Sequence, residues 1–314
     1  MTDDIRPDAP VPDAAVPQIP EPSFIEKLGI PPWIYAIVVL FVIFVSYQVI
    51  GSIITLLIFE SSQITPENVQ GIRLQTGLAQ IVLLLIPTIV LARLQTKNLR
   101  SVFRLNLPPW KSTLFALIGI FALQQVLQAY LFFQELIPLP QAIRPQVEEF
   151  RKLVEEVYRI LTTAHSLPEL LFVVVIVALI PAVCEELLFR GLVQGNFEKG
   201  SPKPWLGFII TGTIFGVYHL NPFAVVPLIA LGIYFGYIVY HSKSIIVAII
   251  GHFFNNGMAV LAAYFNVDEE MVGTIAAGNM TMPVIVGNLI IFTVVLAAST
   301  VAFHHSVKQE AGGA

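Results

Sequence analysis

The sequence predicts an all-α membrane protein, a polytopic bundle of about eight transmembrane helices around a polar intramembrane cavity. Of its 314 residues, 56% are hydrophobic and only 12% are charged, whereas a soluble domain carries about 25% charged residues. Apolar runs long enough to cross ~30 Å of hydrocarbon recur along the chain. A few ionisable and amide side chains interrupt these runs. Because each is costly to bury alone, we expect them to converge on one cavity.

The composition also excludes several classes of function. So few charged residues could not cover the surface of a cytosolic globular enzyme. The net charge of −4 and the lack of a basic stripe exclude nucleic acid as a partner. The single cysteine, Cys184, excludes a disulfide framework and a cysteine-rich metal site. Membrane lipid is therefore the first expected partner.

The elements follow in order along the chain. Residues 1–22 are rich in Pro and Asp and have no apolar run, which predicts a disordered tail and no cleavable signal peptide. An N-terminal transmembrane part covers 23–167, a core covers 168–265, and the last helix and C-terminal tail cover 266–314. The apolar runs predict spans at about 33–58, 76–94, 110–134, 168–194, 205–220, 222–241, 244–265 and 282–303.

The long connection 135–167 differs from the spans. Apolar residues recur there at helical spacing, with acidic and basic residues between them. This pattern predicts an amphipathic helix that lies on the membrane surface or caps the bundle.

The distribution of Lys and Arg predicts the orientation. With the N-terminus inside, the inner segments carry 11 basic residues and the outer segments carry 5. The positive-inside rule then predicts a plasma (inner) membrane protein with both termini in the cytoplasm. Trp33, Trp110 and Trp205 stand at the starts of inside-to-outside helices, at the headgroup level that indole rings prefer.

Three charged residues lie inside the fourth predicted span, namely Glu185, Glu186 and Arg190. Each charge near the bilayer centre costs about 2.5–3.5 kcal/mol on insertion scales. Glu186 and Arg190 are four residues apart, so they share a helix face and can pair. Glu185 points about 100° away and needs another partner. Pro181 is expected to disturb the helix just before these acids.

Two later spans carry further polar groups. His219 follows Phe215 by four residues, and His252 precedes Asn256 by four, so each pair shares a helix face. A single His or Asn in a span usually forms a hydrogen bond between helices. Three helices that each carry such groups favour one shared polar cavity.

Together these residues resemble the three motifs of the CAAX protease and bacteriocin-processing family (CPBP, or Abi), which includes the type II CAAX prenyl proteases. The resemblance covers about 168–265. The motifs are Glu185-Glu186-x-x-x-Arg190, Phe215-x-x-x-His219 and His252-x-x-x-Asn256.

The resemblance implies an intramembrane endopeptidase in which Glu185 activates water with help from His219. His252 and Asn256 would stabilise the oxyanion, as acyl transfer to water requires. The remaining motif residues, Glu186, Arg190 and Phe215, would support the site. The substrate would be a peptide or protein, prenylated in the best-known branch of the family.

Two alternatives stay open at this point. Glu185, His219 and His252 are also a two-His, one-carboxylate set that could bind zinc, although a metal-free site is preferred. Ionisable residues within spans also mark proton- or ion-coupled transporters. A non-catalytic membrane scaffold could carry the same cluster.

Overall fold

The computed structural model of the protein describes residues 23–59, 64–65, 67–265 and 281–311. Within these ranges the chain is almost entirely helical and has no β-strand. The predicted tail 1–22 and nearly all of the connection 266–281 lie outside the described residues.

The helices pack into one polytopic bundle, which confirms the predicted fold class. The long helices α2, α3 and α7 each contain short stretches of π-helical hydrogen bonding. In chain order the helices are α1 (Phe24–Lys27), α2 (Pro32–Phe59), α3 (Val69–Gln95), α4 (Leu99–Val102), α5 (Trp110–Glu135), α6 (Arg144–Thr162), α7 (Leu167–Gly200), α8 (Leu206–Tyr218), α9 (Val225–Ser242), α10 (Ile246–Tyr264) and α11 (Met282–Ala311).

Seven helices in the described part of the chain are long and apolar enough to cross a membrane: α2, α3, α5, α7, α9, α10 and α11. The eighth expected span forms α8, which has only 13 residues. At 1.5 Å per residue α8 is ~20 Å long, less than the ~30 Å of hydrocarbon. The chain turns back at Leu220, whose backbone is left-handed with φ 52°. Helix α8 is therefore too short to cross the hydrocarbon by itself.

The second span also differs from its prediction, because α3 begins at Val69 instead of near 76. This start places Arg73 inside the helix, where it is 2% exposed. Its guanidinium bonds Glu169 at 2.8 Å and the carbonyls of Ile160 and Leu161 at 2.7 and 3.0 Å. The charge is thus neutralised locally, which lets the helix extend through it. These contacts tie the end of α6 to the starts of α3 and α7.

Helix α6 is the predicted amphipathic helix, and Thr162 is its one buried residue. It covers the turn between α8 and α9. The Phe150 ring lies 5.6 Å from the Phe223 ring, and the Arg151 guanidinium lies 5.0 Å from the centre of the same ring. Because Phe223 follows His219 by four residues, α6 caps the part of the bundle that carries this histidine.

Helices α8 and α9 approach each other very closely. A Cβ atom on Gly212 would lie 2.4 Å from the Ile233 nitrogen, and one on Gly216 would lie 2.5 Å from the Ile229 nitrogen. Glycines allow such contact between membrane helices because no side chain separates the backbones. This packing fixes where α8 ends, and hence where His219 stands.

Candidate active site

The centre of the site is an ion pair that is completely buried. Glu186 and Arg190 are both 0% exposed, and Arg190 Nη1 lies 2.9 Å from Glu186 Oε1, one helical turn away. Arg190 Nη2 donates to the carbonyl of Gly232 on α9 at 3.0 Å. The guanidinium lies 4.3 Å from the Phe215 ring centre and 5.3 Å from that of Phe235. Arg190 therefore joins α7, α8 and α9.

The same carboxylate oxygen also holds a histidine. His252 Nδ1 on α10 lies 2.8 Å from Glu186 Oε1, and the imidazole stacks on Phe235 with ring centres 5.4 Å apart. When Nδ1–H donates to the carboxylate, Nε2 is an acceptor in the neutral ring and a donor in the imidazolium. Glu186 thus sets the orientation of His252 and decides which nitrogen is left for chemistry.

Glu185 has a different environment from its neighbour. Its side chain is 14% exposed, and its Oε2 has no hydrogen-bond partner among the described residues. The nearest cationic candidate is His219 Nε2 at 3.8 Å, too far for a direct hydrogen bond. His219 Nδ1 contacts the Phe215 carbonyl at 2.7 Å, which leaves Nε2 to face Glu185.

Asn256 is held against α7 through a backbone carbonyl. Its Nδ2 donates to the carbonyl of Val177 at 3.1 Å. In an α-helix this carbonyl would accept from residue 181, but Pro181 has no N–H. The helix continues past Pro181 with a π-helical stretch at Val174–Leu179 just before it. The proline expected to disturb α7 thus exposes the acceptor that fixes Asn256.

Two further amide side chains form hydrogen bonds in series that connect α5 to Asn256. Gln124 Nε2 on α5 donates to Asn255 Oδ1 at 2.7 Å, and Asn255 Nδ2 donates to Asn256 Oδ1 at 3.1 Å. Because its oxygen accepts and one N–H is given to Val177, the Asn256 amide keeps one N–H free to donate.

The structure assembles the predicted residues into two neighbouring groups. Glu186, Arg190, Phe215 and His252 share direct contacts, and Glu185 faces His219. The Phe215 ring joins the groups, with its centre 4.6 Å from that of the His219 ring and 6.1 Å from that of His252.

Three residues of this site were missed by sequence reasoning. Gln124 and Asn255 had a usable signal, because an amide within an apolar span is costly to bury unless it is paired. Phe235 had none, since it is one apolar residue among many in α9. Its place beside Arg190 and His252 depends on how the helices pack.

The predicted zinc set is not assembled as a group of ligands. In the described ranges, no three His, Cys, Asp or Glu side chains lie close enough together to hold a metal ion. The Glu185 Oε2 lies 3.8 Å from His219 Nε2, whereas His252 contacts Glu186 through Nδ1. The three side chains are therefore not arranged as a preassembled zinc site.

Comparison with known proteins found a family model that matches the segment carrying this site. Residues 167–258 match the family model described as Rce1-like, type II CAAX prenyl endopeptidase Rce1-like. The match begins at the first residue of α7, ends within α10 and contains every predicted motif residue. This segment of the chain is similar to the CAAX protease family. Comparisons with curated proteins and with solved structures gave no match.

The similarity to this family agrees with the membrane-spanning bundle. The described part of the chain has seven helices long and apolar enough to cross a membrane. The protein is therefore an integral membrane protein.

We expect Glu186→Ala to destabilise this protein strongly. Removing one partner of a buried ion pair leaves the other charge uncompensated, which costs about 3–5 kcal/mol of the free energy of unfolding. The melting temperature of the detergent-purified protein should fall clearly. Glu156→Ala is the matched control, because its pair with Arg159 lies on the exposed face of α6. Equal melting temperatures for both variants would contradict the structural role of Glu186.

Proposed function

We propose that the protein is an intramembrane endopeptidase that hydrolyses a peptide bond at the membrane by a glutamate-activated water. One observation carries the proposal. Glu186 is completely buried and its Oε1 contacts both Arg190 and His252. Glu185 is 14% exposed, and its Oε2 lies 3.8 Å from His219 Nε2 without a hydrogen-bond partner among the described residues. An unpaired acid in a partly open site is suited to proton transfer.

The 3.8 Å separation between Glu185 Oε2 and His219 Nε2 suggests how water is bound. Both atoms are acceptors when the acid is ionised and the imidazole is neutral with its proton on Nδ1. A water molecule can donate one hydrogen to each, which turns its lone pairs towards a substrate. Glu185 is the general base, and His219 positions the water.

The proton balance follows from this arrangement. The water oxygen bonds to the carbonyl carbon while Glu185 takes one proton, and the carbonyl oxygen becomes an oxyanion. Collapse of the tetrahedral intermediate breaks the C–N bond. Glu185 then returns its proton to the leaving amine.

His252 and Asn256 are the proposed oxyanion donors. Asn256 has one free N–H, and His252 can donate from Nε2 when both of its ring nitrogens carry a proton. Donors that are fixed before the reaction stabilise developing charge without reorganisation. The fixed partners of both residues support this assignment.

The proposed substrate is a peptide or protein segment in contact with lipid. A prenylated CAAX peptide is the first substrate to assay, because the matching family model describes prenyl endopeptidases. The excess of basic residues at the predicted inner side supports an orientation with both termini in the cytoplasm, in the plasma (inner) membrane.

Glu185→Gln should separate catalysis from stability. The substitution keeps the shape and removes a desolvated charge, so the melting temperature should be unchanged or higher. Peptide hydrolysis should fall by about 10²-fold or more, because the base is lost. Glu149→Gln, on the exposed side of α6, is the control and should keep wild-type turnover.

Other outcomes of that experiment are equally decisive. Wild-type turnover in Glu185→Gln would show that another group is the base. Wild-type protein that cuts no peptide but moves protons in vesicles, with loss of transport in Glu185→Gln, would identify a transporter. If the wild-type protein shows neither proteolysis nor proton transport, the non-catalytic membrane scaffold is the remaining interpretation.

The metal-free mechanism predicts the metal content of active enzyme. Purified protein should contain well under one zinc per chain and should keep its activity in a chelator. The physical reason is that Glu185 and His219 lack a third converging ligand. Stoichiometric zinc that leaves together with activity, and restores activity when added back, would overturn this mechanism.

Asn255→Leu tests the amide chain that orients Asn256. We expect kcat to fall about tenfold, the equivalent of one orienting hydrogen bond, while KM stays the same. Gln124→Leu should have a similar effect, and the double variant should be little worse than either, because both residues act through one chain. Gln125→Leu is the matched control on the same helix. Additive losses, or an equal loss in the control, would reject the positioning role.

A further inference from the structure

A second polar site lies at the other end of the bundle from α6. It is a cleft of about 360 Å³ formed by the connection between α3 and α5 and by the connection between α9 and α10. We call it the basic cleft. Its lining residues are Asn98, Arg100, Ser101, Arg104, Asn106 and Lys243.

The two connections that form the basic cleft are tied together by hydrogen bonds. The Ile245 N–H donates to the Arg104 carbonyl, and Asn106 Nδ2 donates to the Lys243 carbonyl, each at 3.1 Å. Ser244 Oγ also donates to the Asn106 carbonyl. Arg104 and Lys243 both have left-handed backbones, with φ 50° and 53°. The cations on the two connections are therefore held close together by the fold.

The charges in the basic cleft are only partly compensated. Arg104 is paired with Glu198 of α7, which lies behind the lining and is itself held by Gln194. Among the described residues, neither Arg100 nor Lys243 has an acidic partner in an ion pair. Burial lowers the pKa of the Lys243 ammonium, and Arg104 adds to this effect while Glu198 opposes it. The cleft thus has excess positive charge that an anion would stabilise.

The basic cleft also lies at the level of lipid headgroups. Leu107 follows the lining residue Asn106 directly and Trp110 begins α5 three residues later, and they are 87% and 71% exposed. Indole rings at the start of a membrane helix prefer the interface, and α5 enters the hydrocarbon from Trp110 onward. An anion in the cleft would sit where phospholipid phosphates lie, with exposed apolar side chains beside it for acyl chains.

We propose that the basic cleft binds the phosphate group of an anionic phospholipid. Arg100 and Lys243 supply the charge, and the neighbouring Asn98 and Ser101 side chains offer further polar contacts to the headgroup. Through Arg104 and Glu198 the bound lipid would be linked to α7, the helix that carries Glu185. This site is separate from the catalytic proposal and does not depend on it.

Lipid titration of the purified, full-length protein in detergent tests the proposal. Phosphatidylglycerol should raise the melting temperature saturably, and phosphatidylcholine should not. In the double variant with Arg100→Gln and Lys243→Asn, the apparent affinity for phosphatidylglycerol should fall about tenfold or more. The reason is that each cation near the membrane surface contributes to the free energy of binding an anionic lipid. Asparagine is chosen at 243 because it tolerates a left-handed backbone.

Control variants and ligands make the outcome decisive. Lys111→Gln removes a cation that stacks on Trp110 at the same end of the bundle but does not line the cleft, and it should change the affinity less than twofold. Inorganic phosphate and glycerol phosphate distinguish the source of the anion. If they bind as tightly as the lipid, the site takes soluble phosphate and the lipid assignment is wrong. Equal shifts by both lipids, or wild-type affinity in the double variant, would also overturn it.

Discussion

A carboxylate buried completely within a membrane bundle has to be neutralised, and Glu186 is neutralised by two partners at one oxygen. Arg190 satisfies it from the same helix, and His252 reaches it from α10. Because Arg190 also bonds Gly232 and lies against Phe215 and Phe235, this one ion pair connects four helices. The position of His252 depends directly on it.

The pair has a chemical consequence for the acid next to it. Consecutive residues of a helix point about 100° apart, so Glu185 cannot share the Arg190 contact. It faces the end of α8 instead, where a short helix and a left-handed turn present His219. Two identical side chains thus have different surroundings because of helix geometry. The buried one contacts Arg190 and His252, and the partly open one faces His219.

Backbone chemistry supports the site as much as side-chain chemistry does. In a bilayer, a carbonyl that loses its helical partner needs another donor. Pro181 removes such a partner from Val177, and Asn256 supplies the donor while Asn255 and Gln124 fix the Asn256 amide. The close contact of Gly212 with α9 likewise allows α8 to stop where it does. The carbonyl that α7 leaves without a helical partner therefore has a side-chain donor, Asn256.

The sequence by itself determined the membrane class, the helical fold and the pairing of Glu186 with Arg190, because all of these depend on composition or on spacing within one helix. Only the tertiary structure decided that α8 is too short to span, that His252 contacts Glu186, and that Asn256 reaches Val177. It also placed Phe235 beside Arg190 and His252, and connected Gln124 to Asn256 through Asn255. The physical reason is that contacts between helices are set by how closely distant backbones pack, and spacing along the chain carries no information about that distance.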